Sequence, residues 1–189
     1  MFFIPGFLIS AVTFPGVAVH ELAHQVCCRI CRMPVYEVKY FQLKNPCGYV
    51  LHEPTENPWK NLITGLGPFF FNTILGMLIT FPAYFCLWGA GRMISRSMGQ
   101  SYMQIIYYVL YWLGVSVLMH AFPSTGDAKA LIESILKNKE VGILAKIVTA
   151  PFIVLIYLGA IGSMFWLDLA YGVVMSMILP SLLEWIIYI

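Results

Sequence analysis

The chain has 189 residues, of which 60% are hydrophobic and 11% charged, with a formal net charge of +2. A water-soluble domain carries about 25% charged residues, so this composition excludes a surface that faces water throughout and places most of the chain in lipid. The near-neutral balance, with no Lys/Arg tract interleaved with aromatics, excludes nucleic acid as a partner.

In chain order, Phe2 to Val19 is an uncharged run that leads directly into HELAH at residues 20–24. It has no basic residue before it and so lacks the start of a signal peptide. The expectation is a retained transmembrane helix over about 2–32, bent near Pro15-Gly16. Three of the five cysteines, Cys27, Cys28 and Cys31, fall on this helix, with Cys47 and Cys86 beyond it. They make no disulfide framework and read as reduced thiols, the Cys28–Cys31 CxxC pair as small apolar helix residues. Residues 35–52, VYEVKYFQLKNPCGYVLH, are rich in Val, Tyr and Phe around Asn45-Pro46-Cys47-Gly48 and predict a β-hairpin. An open strand edge cannot face lipid, so the hairpin belongs at the interface or against the helices.

Spanning helices are predicted at about 62–90 and 101–122, with Gly65, Gly67, Gly76 and Gly114 allowing close packing and Trp59 at the interface. Over 127–140, DAKALIESILKNKE, apolar residues at 128, 131, 132, 135 and 136 have helical spacing and predict a short amphipathic helix. Residues 147–189 are interrupted only by Asp168 and Glu184; these 43 residues are about twice the ~20 needed to cross a bilayer. They predict a hairpin of two helices turning between Gly159 and Gly172. The fold class is an all-α polytopic membrane protein of about five transmembrane helices with a short interfacial β-hairpin, or four spans if the last run holds a re-entrant or interfacial segment. Residues 1–140 form one unit and 141–189 a C-terminal helical hairpin.

With five spans, the segments after the first and third helices share a side. Arg29, Arg32, Lys39, Lys44, Lys60, Lys129, Lys137, Lys139 and Lys146 lie there, against Arg92 and Arg96 on the other. The positive-inside rule then puts the N-terminus outside, the C-terminus in the cytosol and HELAH toward the cytosolic side.

On a helix, positions i and i+4 share a face one turn apart. His20 and His24 can therefore bind one metal ion, and Glu21 stands where it can take a proton from metal-bound water. This is the HExxH arrangement of zinc peptidases, in which zinc brings the pKa of its water to about 7. Ionisable groups beside an apolar span are costly without partners, which favours a site over a chance cluster. A catalytic zinc needs a third protein ligand. Asp127 follows the third span on the same side as HELAH and is favoured. His120, one or two turns earlier, is the alternative, and Pro123 and Gly126 are expected to break the helix between them. His52, Glu53 and Asp168 are further candidates, with His52 read as interfacial and Asp168 as near the last turn or capping a helix.

At this point the chain resembles the site-2 protease family of zinc intramembrane metalloproteases. HELAH matches the zinc motif, GLGPFFFNTILG resembles Gly-Pro-x-x-Asn with one extra residue before Asn72, and HAFPSTGDAKAL resembles Asn-x-x-Pro followed by Asp-Gly. His120 stands in place of the asparagine and Ala128 in place of the glycine, which keeps His120 open as a ligand. The resemblance spans roughly residues 10–135; it implies a catalytic core, taken as 1–140, Zn2+ held by His20, His24 and Asp127, and Glu21 as general base and then acid. The substrate would be a transmembrane segment of another membrane protein, unwound before attack. The hairpin strands, at Val38 and Val50, could accept it by edge pairing, and Asn72 would touch substrate or orient a neighbour. The competing reading is an inactive metal-binding scaffold or chaperone of the same fold. A metal transporter ranks lower, because the polar groups cluster toward one side. Oligomeric state does not follow from the sequence.

Overall fold

The computed structural model describes residues 6–88 and 101–188. Its first feature is a break. Helix α1 (Gly6–Val12) and helix α2 (Phe14–Ile30) meet at 88° across Thr13. The expected bend near Pro15-Gly16 thus falls two residues earlier. Pro15 lacks an N–H and cannot continue α1, but it sits without cost in the first turn of α2. A break in an apolar segment frees backbone groups that must find partners. Ser116, on helix α4 (Ser101–Met119), supplies them: its Oγ donates to the Thr13 carbonyl at 2.9 Å and accepts the Gly16 N–H at 2.9 Å.

The hairpin forms as expected. Strand β1 (Val35–Lys39) pairs antiparallel with β2 (Tyr49–His52), Val38 opposite Val50, with a bulge between Val35 and Glu37. The Glu53 N–H closes its base on the Pro34 carbonyl at 2.9 Å. Across the connecting loop, the Gln42 N–H reaches the Cys47 carbonyl at 2.7 Å and Gln42 Nε2 the Pro46 carbonyl at 2.8 Å.

Helix α3 (Pro58–Leu87) starts behind Asn57, whose Oδ1 accepts the N–H groups of Trp59 and Lys60 at 3.0 and 3.3 Å. It crosses α4 at Gly76 and Gly114. A Cβ on Gly76 would stand 3.0 Å from the Gly114 carbonyl oxygen, and one on Gly114 3.1 Å from that of Gly76, so only glycine permits this approach. After α4 come α5 (Thr125–Leu131), a π-helical turn (Ile132–Leu136), α6 (Ile143–Gly162), a short 3-10 turn (Ser163–Phe165) and α7 (Leu167–Tyr188). Tyr111 of α4 meets Ser176 of α7 at 2.9 Å, and Thr73 of α3 meets Tyr171 of α7 at 2.7 Å. These registers make α3 and α7 parallel and α4 antiparallel to both. The starts of α3 and α7 and the end of α4 therefore lie on one side of the bundle, beside HELAH.

The last turn falls at 163–166, inside the expected interval, with Trp166 in the left-handed region at φ 63°. The two helices it joins do not pair as a simple hairpin. Helix α7 packs chiefly on α4 and α3, whereas α6 packs chiefly on α5 and the π turn. Gly159 of α6 closes on the ring of Phe122, and Leu66, Ala121, Leu131, Ile153 and Ile156 form a core beneath α6.

Among the described residues, α3, α4, α6 and α7 are long and apolar enough to cross a membrane, and the bent α1–α2 pair makes a fifth if it is one span. The outward faces carry a lipid-like belt, with Ile74 and Leu78 each 59% exposed and Ile105 61%. The chain is thus a mostly helical membrane protein with a small two-stranded sheet. The expected start of the first helix at 2, the end of the second at 90 and the basic pair Arg92 and Arg96 lie outside the described residues.

Candidate functional site

Helix α2 presents HELAH toward the end of α4. The rings of His20 and His24 stand edge to face with centroids 4.8 Å apart, and both His20 and Glu21 are buried. His20 Nδ1 lies 2.6 Å from the His120 carbonyl oxygen. A carbonyl only accepts, so the His20 ring donates through Nδ1 and keeps the lone pair of Nε2. That is the state in which an imidazole ligates metal.

The carbonyl that holds His20 exists because α4 ends there. The last carbonyls of a helix have no partner within it. Here Asn72 Nδ2 donates to the Val117 and His120 carbonyls at 3.3 and 2.9 Å, and the His120 side chain turns back so that its Nδ1 meets the Ser116 carbonyl at 3.0 Å. Asn72 thus orients a neighbour: it steadies the oxygen that fixes His20. Because the end of α4 offers only carbonyls, the amide turns its N–H groups toward them. Asn72 Oδ1 is left as a buried side-chain atom without a hydrogen-bond partner.

The segment 123–127 does not simply break the chain. Ser124 caps α5, accepting the Asp127 N–H at 3.2 Å, while Asp127 Oδ2 accepts the Ser124 N–H at 3.2 Å and its hydroxyl at 2.6 Å. This reciprocal capping box fixes the carboxylate, which lies 4.0 Å from His24 Nε2. Gly126 lies within α5 rather than ending it.

The hairpin supplies the opposite wall. A cavity of about 320 Å³ is lined by His20, Glu21, His24, Asp127, Val50 and His52, among others. Gly48 passes so close to Glu21 that a Cβ there would lie 2.7 Å from Glu21 Cγ and 3.0 Å from Oε1. The His52 ring meets the Glu53 carbonyl through Nδ1 at 3.0 Å. Tyr49, beside it, donates its hydroxyl to Glu37 at 2.7 Å, and this bond pushes its phenol pKa upward.

Sequence-predicted residues therefore divide. His20, Glu21, His24, Asp127, Val50 and His52 share one cavity. Val38 lines a shallow groove on the other side of the hairpin with Gln25 and Arg29. His120 and Asp168 line a second cavity, and the His120 carbonyl meets His20 of the first. Glu53 closes the hairpin base through its backbone. Sequence reasoning missed Ser124, although its S-x-x-D spacing to Asp127 was a visible capping signal. It also missed Gly48 and Ser116, whose roles depend on contacts across the fold.

Two imidazoles and a carboxylate are a donor set that zinc accepts. Ligand atoms sharing one tetrahedral zinc at bonds of roughly 2.0–2.1 Å stand about 3.3 Å apart, so the 4.0 Å between His24 and Asp127 is open by well under 1 Å. As the side chains stand, no three His, Cys, Asp or Glu groups among the described residues converge on one metal position. The residue types and the carbonyl-anchored His20 ring fit zinc; the carboxylate would have to close. No family model, curated protein or solved structure matches the chain.

Proposed function

We propose that this protein is a zinc-dependent intramembrane endopeptidase that cleaves a transmembrane segment of another membrane protein, with its site toward the cytosolic side of the membrane. The observation that carries the reading is the convergence of His20, Glu21, His24 and Asp127 on one cavity among apolar helices, with the His20 ring anchored through its Nδ1. His20, His24 and Asp127 would hold zinc. The metal when bound would supply an acidified water and a Lewis acid for the scissile carbonyl. Glu21 would accept the proton and return it to the departing amine. The close pass of Gly48 holds the Glu21 carboxylate against the hairpin, and β2 lies where an unwound substrate could add a strand.

A second reading, a scaffold of the same fold without peptidase activity, draws on the open distance between His24 and Asp127. One experiment separates them. Full-length protein is purified in detergent without chelator, and zinc per chain is measured alongside cleavage of a panel of transmembrane peptides. About one zinc with cleavage supports the peptidase. Zinc without cleavage of any peptide supports the scaffold. No zinc in folded protein removes both.

A further inference from the structure

The second cavity, of about 620 Å³, adjoins the first. Pro46 of the hairpin loop and Ser124 line both and separate them. Phe7 of α1, Phe122 and the start of α7 enclose it. Asp168 supplies the one carboxylate in its lining, and no Lys or Arg among the described residues lines it. One carboxylate oxygen accepts the Leu169 N–H at 2.8 Å, and the carboxylate makes no ion pair among the described residues.

A carboxylate among membrane helices is costly unless a cation meets it. No described part of this chain brings one. A substrate lying against Glu21 and the histidines would continue past Pro46 and Ser124 into this space. The cavity lies on the side of the bundle where the chain's own Lys and Arg concentrate. The same rule that places them there puts Lys and Arg at that flank of other transmembrane segments. A long basic side chain would lay its aliphatic stem along Phe7 and Phe122 and bring its charge to Asp168.

We propose that this cavity is a specificity subsite that takes a Lys or Arg side chain flanking the substrate's transmembrane segment, with Asp168 as the counter-charge. The proposal rests on the peptidase reading of the neighbouring cavity, and its test separates the two.

Full-length Glu21→Gln protein in detergent is titrated with fluorescent transmembrane peptides that carry Lys or Leu at one scanned position. At one position Lys should bind about tenfold tighter than Leu, the order expected of a half-buried pair discounted for solvent. Adding Asp168→Asn should erase that ratio while the Leu peptide binds as before, and Asp168→Lys should prefer Glu at the same position. If Asp168→Asn also loses the Leu peptide, Ser163→Lys is used instead. It places a cation in the same lining and should erase the Lys preference. A Lys:Leu ratio near one at every position, or a preference that survives these substitutions, overturns the proposal. Wild-type protein that cleaves none of the peptides overturns the peptidase reading instead, and the binding comparison stands apart from it.

Discussion

The two walls of the candidate site are built differently. The inner wall, made by α2, α3 and α4, is held by bonds between residues distant in sequence: His20 to the His120 carbonyl, Asn72 to the same oxygen, and Ser116 across the break at Thr13. Its members are buried among interlocked helices. The outer wall, made by the hairpin and the Ser124–Asp127 turn, is held by bonds nearer in sequence and more exposed, the longest joining residues fewer than 20 apart. Ser124 binds Asp127 three residues away, Gln42 binds Pro46 four residues away, and the Asp127 side chain is 40% exposed. Long-range buried contacts move only when the fold opens, whereas local exposed ones shift at little cost. The inner wall thus fixes His20 through distant, buried bonds, whereas the Asp127 carboxylate rests on near-sequence, half-exposed ones; under the proposed function, the outer wall is the one that would have to move.

Substitutions probe this contrast, and the largest effect belongs to the group between the walls. Glu21→Gln should lower cleavage by roughly 10²–10⁴-fold, the usual worth of a positioned acid–base group, with zinc per chain unchanged. Loss of zinc together with activity would make Glu21 a ligand instead. Asp127→Ala comes next. Outer-sphere partners of a metal site are worth about 10–100-fold in affinity, so removal of a ligand should weaken zinc by more than about 100-fold in equilibrium dialysis. Zinc held as in wild type would mean that the inner wall binds it without the carboxylate. Asn72→Leu removes a donor from the oxygen that fixes His20, and should weaken zinc by about tenfold. An unchanged affinity would break the claim that the inner wall fixes His20. Val50→Pro, on the strand that lines the cavity, removes one backbone donor and bends the edge. Cleavage should fall by about tenfold with zinc unchanged, and full activity would exclude strand addition at β2.

How much of this the sequence carried depends on the range of the physics involved. Long apolar runs, the Val, Tyr and Phe richness of 35–52 around Asn45-Pro46-Cys47-Gly48 and the spacing of HELAH are local patterns, and they placed the helices, the hairpin and the two histidines. The turn after α6 was also legible, because residues 147–189 are too long for one span. What was not legible depends on partners. The break moved from Pro15-Gly16 to Thr13 because Ser116, about a hundred residues away, repairs the backbone there. The α6–α7 segment reads as a hairpin by length, yet Gly159 meets Phe122 and sends α6 onto α5. The sequence left His120 and Asp127 as rival ligands. In the structure the His120 ring meets the Ser116 carbonyl, while the Asp127 carboxylate is capped beside His24.

The smallest predicted effect is the most discriminating between the walls. Ser124→Ala removes the N-cap of α5 and both side-chain bonds that hold Asp127. Loss of such a cap costs about 1 kcal/mol, small beside the stability of a helical bundle. The carboxylate would then keep only the Ser124 N–H at 3.2 Å, and part of the entropy of fixing it would be met on binding metal instead of in advance. Zinc affinity should fall only a few-fold, and saturating zinc should restore cleavage, because a local outer contact can re-form around the ion. Asn72→Leu should behave differently under the same zinc titration. With His20 less well held, full occupancy would still leave the imidazole and Glu21 in altered register, and cleavage should stay low at saturation. Equal rescue of both variants by zinc would show that the two walls are alike in stiffness, and the division drawn from their bonds would fail.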